Sequence, residues 1–360
     1  MDKLKIAFWS FYENNCRNMK MFYEKDHEIA EGIFKKWNTL YNECVKVGID
    51  IVSLDTVRDF DEVDFFVFVD FPVLSNLIVK KALKTHKPKI LIIEEGPLIH
   101  PNNWKIDNHL MFDYIFTWND EFVDNIKYFK FNLHFVDKMT SDISFREKMC
   151  VLIARNKKAY GKSELYTLRR NLIRFFEKKH PEDFDLFGEG WDLFYFPSNF
   201  PILKLFNGTK LFWFRSKIRE KFPSWKGPLK NKIDILKKYR FSITFENSFG
   251  PKGYISEKIW DSFTAGTIPV YLGAPNICNS IPKNCFIDFR DFKSFEELYD
   301  YMSNMKEKEY FKFLNNINSF LNDQLNGGVF SDQYFVKSFI DLVRTANNNN
   351  MESTSTFKNG

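Results

Sequence analysis

The sequence predicts an α/β protein built from two Rossmann-like domains. Three observations support this. The length of 360 residues suits two domains of ordinary size. Short, wholly apolar runs alternate with segments of helical period, the signature of parallel strands joined by crossover helices. That alternation stops near residue 138 and restarts after residue 145.

In the first third, the runs Lys5–Trp9, Asp50–Leu54, Asp64–Val69 and Lys89–Ile93 read as buried strands. Ile29–Val47 and Pro72–Thr85 read as the helices between them, so the sheet is parallel with right-handed crossovers. In the second part, the predicted strands are Cys150–Ala154, Phe184–Phe187, Arg240–Phe245, Thr267–Leu272 and the short Cys285–Asp288. The predicted helices are Ser163–Lys179 with Ser163 as N-cap, Ser256–Ala265 closed by Gly266, and Phe295–Lys306. The expected division is residues 1–145, residues 146–345, and an Asn/Ser/Thr-rich disordered tail over 346–360. A basic and aromatic stretch at about 203–232 breaks the rhythm and reads as an insertion on the second domain. Its alternative reading is an amphipathic membrane contact, disfavoured because Gly208 and Pro223 interrupt a short apolar face.

Composition excludes several classes. A net charge of +5 is mildly basic and does not demand nucleic acid. The 42 Phe read first as core filler. Five cysteines, scattered and without a CxxC pair or zinc spacing, read as free thiols of a reducing compartment. There is no run of about 18 apolar residues and no cleavable leader pattern. A complete chain of this kind is expected in the cytoplasm or at a membrane periphery. A chain trimmed of an anchor, working in a Golgi lumen, would read the same.

The densest chemistry lies in Tyr239–Gly273. A buried strand ends in Phe245-Glu246-Asn247, a Gly/Pro loop follows, and Tyr254-Ile255-Ser256-Glu257-Lys258 opens a helix. Open α/β sheets bind ligands at the carboxyl ends of their strands. A helix N-terminus there offers free N–H groups and a positive dipole to phosphate. Lys258 adds a full charge, and Glu257 can accept from ribose hydroxyls. The competing structural reading is a capped helix with a solvated Glu-Lys pair. Neither a GxGxxG nor a P-loop pattern occurs, so a nucleotide here must be held by side chains and helix termini.

The run Phe245-Glu246-Asn247-Ser248, then Tyr254-Ile255-Ser256-Glu257-Lys258, then Ala265-Gly266-Thr267-Ile268-Pro269-Val270 and Gly273 closely resembles the donor-binding signature of the glycosyltransferase family 10 fucosyltransferases. The likeness extends to Arg155-Asn156-Lys157, to Glu164–Arg169 and to Phe184–Trp191, covering most of residues 150–292. It implies the GT-B arrangement, two Rossmann-like domains facing across a cleft, with GDP-fucose bound by the second. It places donor contacts on Asn247, Tyr254, Glu257 and Lys258, while Glu246 either touches the ligand or braces the loop. A family arginine on the pyrophosphate falls on Arg169 or Arg170. Periodicity favours Arg169, because Ile173 and Phe176 continue its face, whereas Arg174 and Glu177 continue that of Arg170, which reads as solvent-facing.

The first domain resembles the family less closely. The family's catalytic base is a glutamate in an E-x-P step after an apolar strand, which places it on Glu95; Glu94 points the other way if the strand geometry persists. Pro101-Asn102-Asn103-Trp104 and Phe112–Trp118 also look like one branch of the family, and His100 and His109 beside them read as surface loop residues. The resemblance implies inverting transfer of L-fucose to a glycan or glycoconjugate hydroxyl, with α-1,3 linkage expected. No metal or other cofactor is expected, since Asp59-Phe60-Asp61 and Asp183-Phe184-Asp185 sit away from the signature. The rival readings are a transferase for another GDP-sugar and, from a different class, a non-catalytic basic and aromatic binding protein.

Overall fold

The structure is a computed structural model that describes residues 3–23, 34–159, 161–194 and 220–356. The chain divides into two compact units, Met1–Phe135 with Gly327–Gly360, and Val136–Asn326.

The first unit is a six-stranded parallel sheet. Its strands are β1 (Leu4–Ser10), β2 (Ile49–Ser53), β3 (Phe65–Val69), β4 (Lys89–Ile92), β5 (Tyr114–Thr117) and β6 (Tyr128–Lys130), in the order β2-β1-β3-β4-β5-β6. The wholly buried strands β3 and β4 are apolar runs, apart from Lys89 at the start of β4, because both sheet faces are covered. Helix α1 (Lys35–Lys46) buries Trp37, Leu40 and Cys44, which share one helical stripe. Helix α2 (Leu77–Lys84) starts where the Asn76 side chain accepts from the Ile78 amide, 3.0 Å. Strands β5 and β6 were not anticipated; β6 has three half-buried residues, too few for alternation to register.

The second unit is a five-stranded parallel sheet. Its strands are β7 (Lys148–Ile153), β8 (Phe184–Phe187), β9 (Tyr239–Phe245), β10 (Ile268–Leu272) and β11 (Ile287–Asp288), in the order β11-β10-β9-β7-β8. Helix α3 (Tyr166–Lys179) follows β7, and α4 (Glu257–Ala265) joins β9 to β10. Gly266 ends α4 in the left-handed region at φ 65°, and a Cβ there would meet Ser141 Oγ at 2.4 Å. Helices α5 (Phe295–Asn304) and α6 (Glu307–Leu325) complete the unit.

The C-terminal segment departs from the sequence expectation. Residues 327–345 lie with the first unit, and helix α7 (Asp332–Thr356) runs through most of the stretch expected as tail. The physical reason is an apolar stripe: Phe335, Val336, Phe339, Ile340 and Val343 join the first unit's core. Phe335 packs edge-on against Trp37, centroids 6.1 Å apart, and Phe339 lies 5.9 Å from Phe8. Each such aromatic contributes about 1.5–3 kcal/mol when fully buried. The Phe content is therefore core filler, as the composition suggested.

Two further details differ. Helix α3 begins at Tyr166 with no side-chain cap. Ser163, expected as N-cap, instead accepts the Phe249 amide on its carbonyl at 2.7 Å, and Glu164 pairs with Ser248 in a short bridge. The carboxylate of Glu164, one residue before the N-cap position, satisfies one first-turn amide, accepting from Thr167 at 3.0 Å. Of the 203–232 stretch, residues 203–219 lie outside the described residues. The part from residue 220 onward packs on the second unit: Arg174 lies 3.9 Å over the Phe222 ring, and the Trp225 indole donates to the Gly188 carbonyl at 2.9 Å.

Candidate functional site

The two sheets share one pattern, and it positions the functional side chains. In each, the first and third strands are neighbours and the order reverses between them. Loops leaving the carboxyl ends of those two strands diverge and leave a crevice for a ligand.

In the second unit, the third strand is β9, and the residue just beyond it is Glu246, completely buried. Its carboxylate accepts from the Ser256 amide (2.8 Å), the Ser256 hydroxyl (2.6 Å) and the Lys258 ammonium (3.2 Å). Glu246 thereby ties the strand end to the start of α4 and braces the loop between them. Gly273 makes room for it: a Cβ there would stand 2.4 Å from Glu246 Cγ. The Ser256 hydroxyl also accepts from Lys258 at 2.8 Å, so it is not spent on capping the helix.

Lys258 is thus held at the first turn of α4, its side chain 18% exposed, with Glu257 Oε1 a further 3.5 Å away. Burial opposes its charge, but the Glu246 and Glu257 carboxylates outweigh burial and hold its pKa above the ordinary lysine value. Glu257 itself is 44% exposed. Tyr254 is buried; its carbonyl accepts from the Tyr271 hydroxyl (3.3 Å), and the preceding Gly253 amide donates to Asn276 (2.9 Å).

Arg169 comes from α3 on the buried face with Leu172, Ile173 and Phe176. One guanidinium nitrogen donates to the Glu246 carbonyl (2.5 Å) and to Asn247 Oδ1 (2.8 Å). The guanidinium also lies 4.9 Å over the Tyr166 ring. Burial lowers its pKa, against the opposing pull of Tyr166, Glu246, Tyr254 and Glu257. The structure therefore brings Arg169, Asn247 and Lys258 together at Glu246, with Glu257 beside Lys258 and Tyr254 in the loop that leads into α4. Two cations at a strand end and a helix N-terminus, beside the exposed Glu257 carboxylate and the half-buried Asn247 amide, are suited to a diphosphate carrying a hydroxylated ring.

Arg170 differs from its expectation as a solvent-facing residue. Its side chain is 16% exposed and pairs with Glu220 (3.0 Å) and Asn156 Oδ1 (2.7 Å), over the Trp191 and Phe222 rings. Helical period placed it off the sheet face correctly, but the chain around residue 220 covers that flank.

In the first unit, the ends of β1, β3 and β4 meet. Glu95 lies just past β4, and its Oε1 accepts from the Tyr12 hydroxyl at 2.7 Å. Glu94 turns the other way, to an ion pair with Lys36 of α1. Both glutamate amides donate to one oxygen of Asp70, at 2.8 and 2.9 Å. Asp70 follows β3, is 1% exposed and adopts a left-handed φ of 61°. Burial, then the nearby Glu94 charge, pushes its pKa up to about 7. Asn103 completes the cluster, donating to Asp70 at 2.7 Å and to the Glu95 carbonyl at 3.2 Å.

His100 and His109 are buried, contrary to expectation. His100 stacks on Phe11 at 4.1 Å with Nε2 on the Phe71 carbonyl, and His109 holds the Asn103 carbonyl at 2.7 Å. Sequence reasoning missed Asp70, Asn103 and Tyr12. The available signal for Asp70 was a lone acid directly after the apolar run Phe65–Val69. Among the described residues, no group of three or more His, Cys, Asp or Glu side chains is placed to hold a metal ion, and no helix is long and apolar enough to cross a membrane.

Comparison with known proteins places this geometry. Residues 218–347 match the C-terminal domain of glycosyltransferase family 10 (fucosyltransferase). The chain is 40% identical over 74 residues to an α-(1,3)-fucosyltransferase of Helicobacter pylori, spanning 21% of this chain and 15% of that protein. It is 37% identical over 84 residues to human α-(1,3)-fucosyltransferase 7, spanning 22% of this chain and 24% of the relative. The matched segments thus span about a quarter or less of these relatives' length. An α1,3-fucosyltransferase crystal structure aligns over 94% of this chain and 89% of its own, with TM-score 0.53 and 18% identity. A fucosyltransferase structure with GDP-fucose aligns over 86% and 81% with TM-score 0.51 and 18% identity, and an α-glucosyltransferase with UDP and DNA aligns over 95% and 100% with TM-score 0.54 and 12% identity. The fold is GT-B, two Rossmann-like α/β units.

Proposed function

We propose, from the family 10 domain carried by residues 218–347, that this chain is an inverting fucosyltransferase that moves L-fucose from GDP-fucose to a glycan hydroxyl, with α-1,3 linkage. One observation carries the reading: the signature residues Arg169, Asn247 and Lys258 meet at one buried brace, Glu246, at a strand end and helix N-terminus, with Glu257 beside Lys258. In this reading the diphosphate lies against Arg169 and the first turn of α4 with Lys258, and Glu257 accepts from ribose hydroxyls. Glu95 supplies the base. The acceptor oxygen forms a bond to C1 of fucose as the bond from C1 to the phosphate oxygen breaks. The acceptor proton passes to the Glu95 carboxylate, and GDP leaves with the electron pair. The growing charge on the diphosphate is met by Lys258 and Arg169, which supply electrostatic stabilisation without any metal. The partners are GDP-fucose and a glycan or glycoconjugate; a cytoplasmic or peripheral-membrane setting is part of the proposal.

The test is a donor-turnover assay of the full chain across GDP-fucose, GDP-mannose and UDP-sugars. Turnover of GDP-fucose well above the others supports the reading. Preference for GDP-mannose would keep the reaction class and replace the sugar. Absence of turnover with every donor would leave the non-catalytic alternative.

A further inference from the structure

The two sheets carry the same device at the same place. One residue beyond the third strand of each stands a buried carboxylate: Asp70 after β3 at 1% exposed, and Glu246 after β9 at 0%. Each spends itself on the backbone of the segment that bears a functional side chain. Glu246 takes the Ser256 amide, two residues before Lys258. Asp70 takes the amides of both Glu94 and Glu95.

We propose that Asp70 is a positioning residue that sets the place of Glu95. The proposal rests on the reading of Glu95 as the base. Strand β4 ends at Ile92, so beyond it no ladder fixes the backbone of residues 94 and 95. A single oxygen of Asp70 replaces the ladder, accepting both amides and the Asn103 side chain. The other end of the clamp is fixed as well. Asn103 Oδ1 accepts from the Phe71 amide at 2.6 Å, and its Nδ2 returns to the Glu95 carbonyl together with the Trp104 indole at 3.1 Å. The left-handed backbone at Asp70 turns the side chain from its own strand toward the end of β4, a conformation that Asp, Asn and Gly tolerate better than other residues. With the backbone fixed by Asp70, the Tyr12 hydroxyl fixes one carboxylate oxygen of Glu95. The base is thus held from both sides, by groups arriving from three adjacent strand ends.

The test measures kcat and donor dissociation constants on the full chain for Asp70→Gly, Asp70→Asn, Glu95→Gln and the double variant Asp70→Gly/Glu95→Gln. Glycine suits the backbone and removes the acceptor. Asp70→Gly should lower kcat roughly 10- to 100-fold, the scale of an ångström-level misplacement, with donor affinity within about twofold. Asparagine keeps an oxygen at the same place and should restore most of the lost turnover. In the Glu95→Gln background Asp70→Gly should cost nothing further, because the group it positions is already disabled. An equal loss in both backgrounds, or wild-type turnover in Asp70→Gly, would overturn the proposal while leaving Glu95 as base. Wild-type turnover in Glu95→Gln would instead bring down the base assignment, and the positioning role with it. Should Asp70→Gly fail to fold by circular dichroism, Asn103→Ala loosens the same clamp; a loss in kcat of several-fold that vanishes in the Glu95→Gln background supports the role, and one that persists refutes it.

Discussion

Replacing Lys258 by methionine separates its part in the Glu246 brace from its proposed role at the diphosphate. Its ammonium stands 3.2 Å from Glu246, which has no solvent exposure. At that distance and an effective dielectric of about 20, the attraction is about 5 kcal/mol before desolvation is subtracted. Removing one partner of a buried pair costs about 3–5 kcal/mol, since the other charge is left behind. Ser256 still donates twice to Glu246 and Lys258 is 18% exposed, so the lower end, about 3 kcal/mol, applies. For a unit of this size that is a Tm loss of about 6–12 °C. Because the lysine pKa is raised on folding, its contribution is full at every pH below the unfolded value and fades only as pH climbs through the folded one. Lys258 itself therefore adds no pH dependence between pH 6 and pH 8. The double variant Glu246→Gln/Lys258→Met has no orphan charge and should recover most of the stability. Donor affinity should not recover, because the cation proposed to face the diphosphate is still gone; the expected weakening of GDP binding is roughly 10- to 100-fold in both variants. Calorimetric melts and GDP titrations on the wild type and the two variants read both effects. A double variant less stable than Lys258→Met, or GDP affinity restored along with stability, would refute the reasoning.

Arg169→Ala should weaken GDP more than Arg170→Ala, because Arg169 meets the Glu246–Asn247 strand end while Arg170 is engaged by Glu220 and Asn156; titration of the two variants in the reverse order would exclude Arg169 from the donor site. Asp70, raised to about 7 by burial and then by the Glu94 charge, binds a proton in the folded state that the unfolded chain has released, so its effect on stability falls as pH rises from about 4 to 7, by roughly 4 kcal/mol in all. Asp70→Asn should flatten the first unit's melting temperature across that window, and an unchanged pH slope would contradict it. Turnover of GDP-fucose should survive a chelator, with loss on EDTA and recovery on manganese being the result that removes Lys258 and Arg169 from their proposed role.

Some of this molecule is local enough to be read from the chain alone. Strands β3 and β10 announce themselves because burial on both faces demands unbroken apolar runs, and β4 does so from Ile90 onward. Arg169 was separable from Arg170 because a helix repeats its face every three to four residues, and Ile173 and Phe176 continue only one of them. Gly266 could be placed as a helix stop because the left-handed position there favours glycine. The signature from Phe245 to Gly273 is contiguous, so its chemistry could be named before its geometry. What only the tertiary structure decided was where separate segments meet. Helix α7 returns to the first unit because its apolar stripe finds Phe8, Trp37 and Phe116 there, partners about three hundred or two hundred residues away that no local period encodes. Arg170 is covered rather than solvated because Glu220 arrives from fifty residues later. Tyr12, Asp70, Glu95 and Asn103 are spread over ninety-one residues, and parallel strand order alone brings them to one edge. A buried carboxylate and a surface one are the same letter in a sequence; the difference is the set of amides that the fold delivers to it.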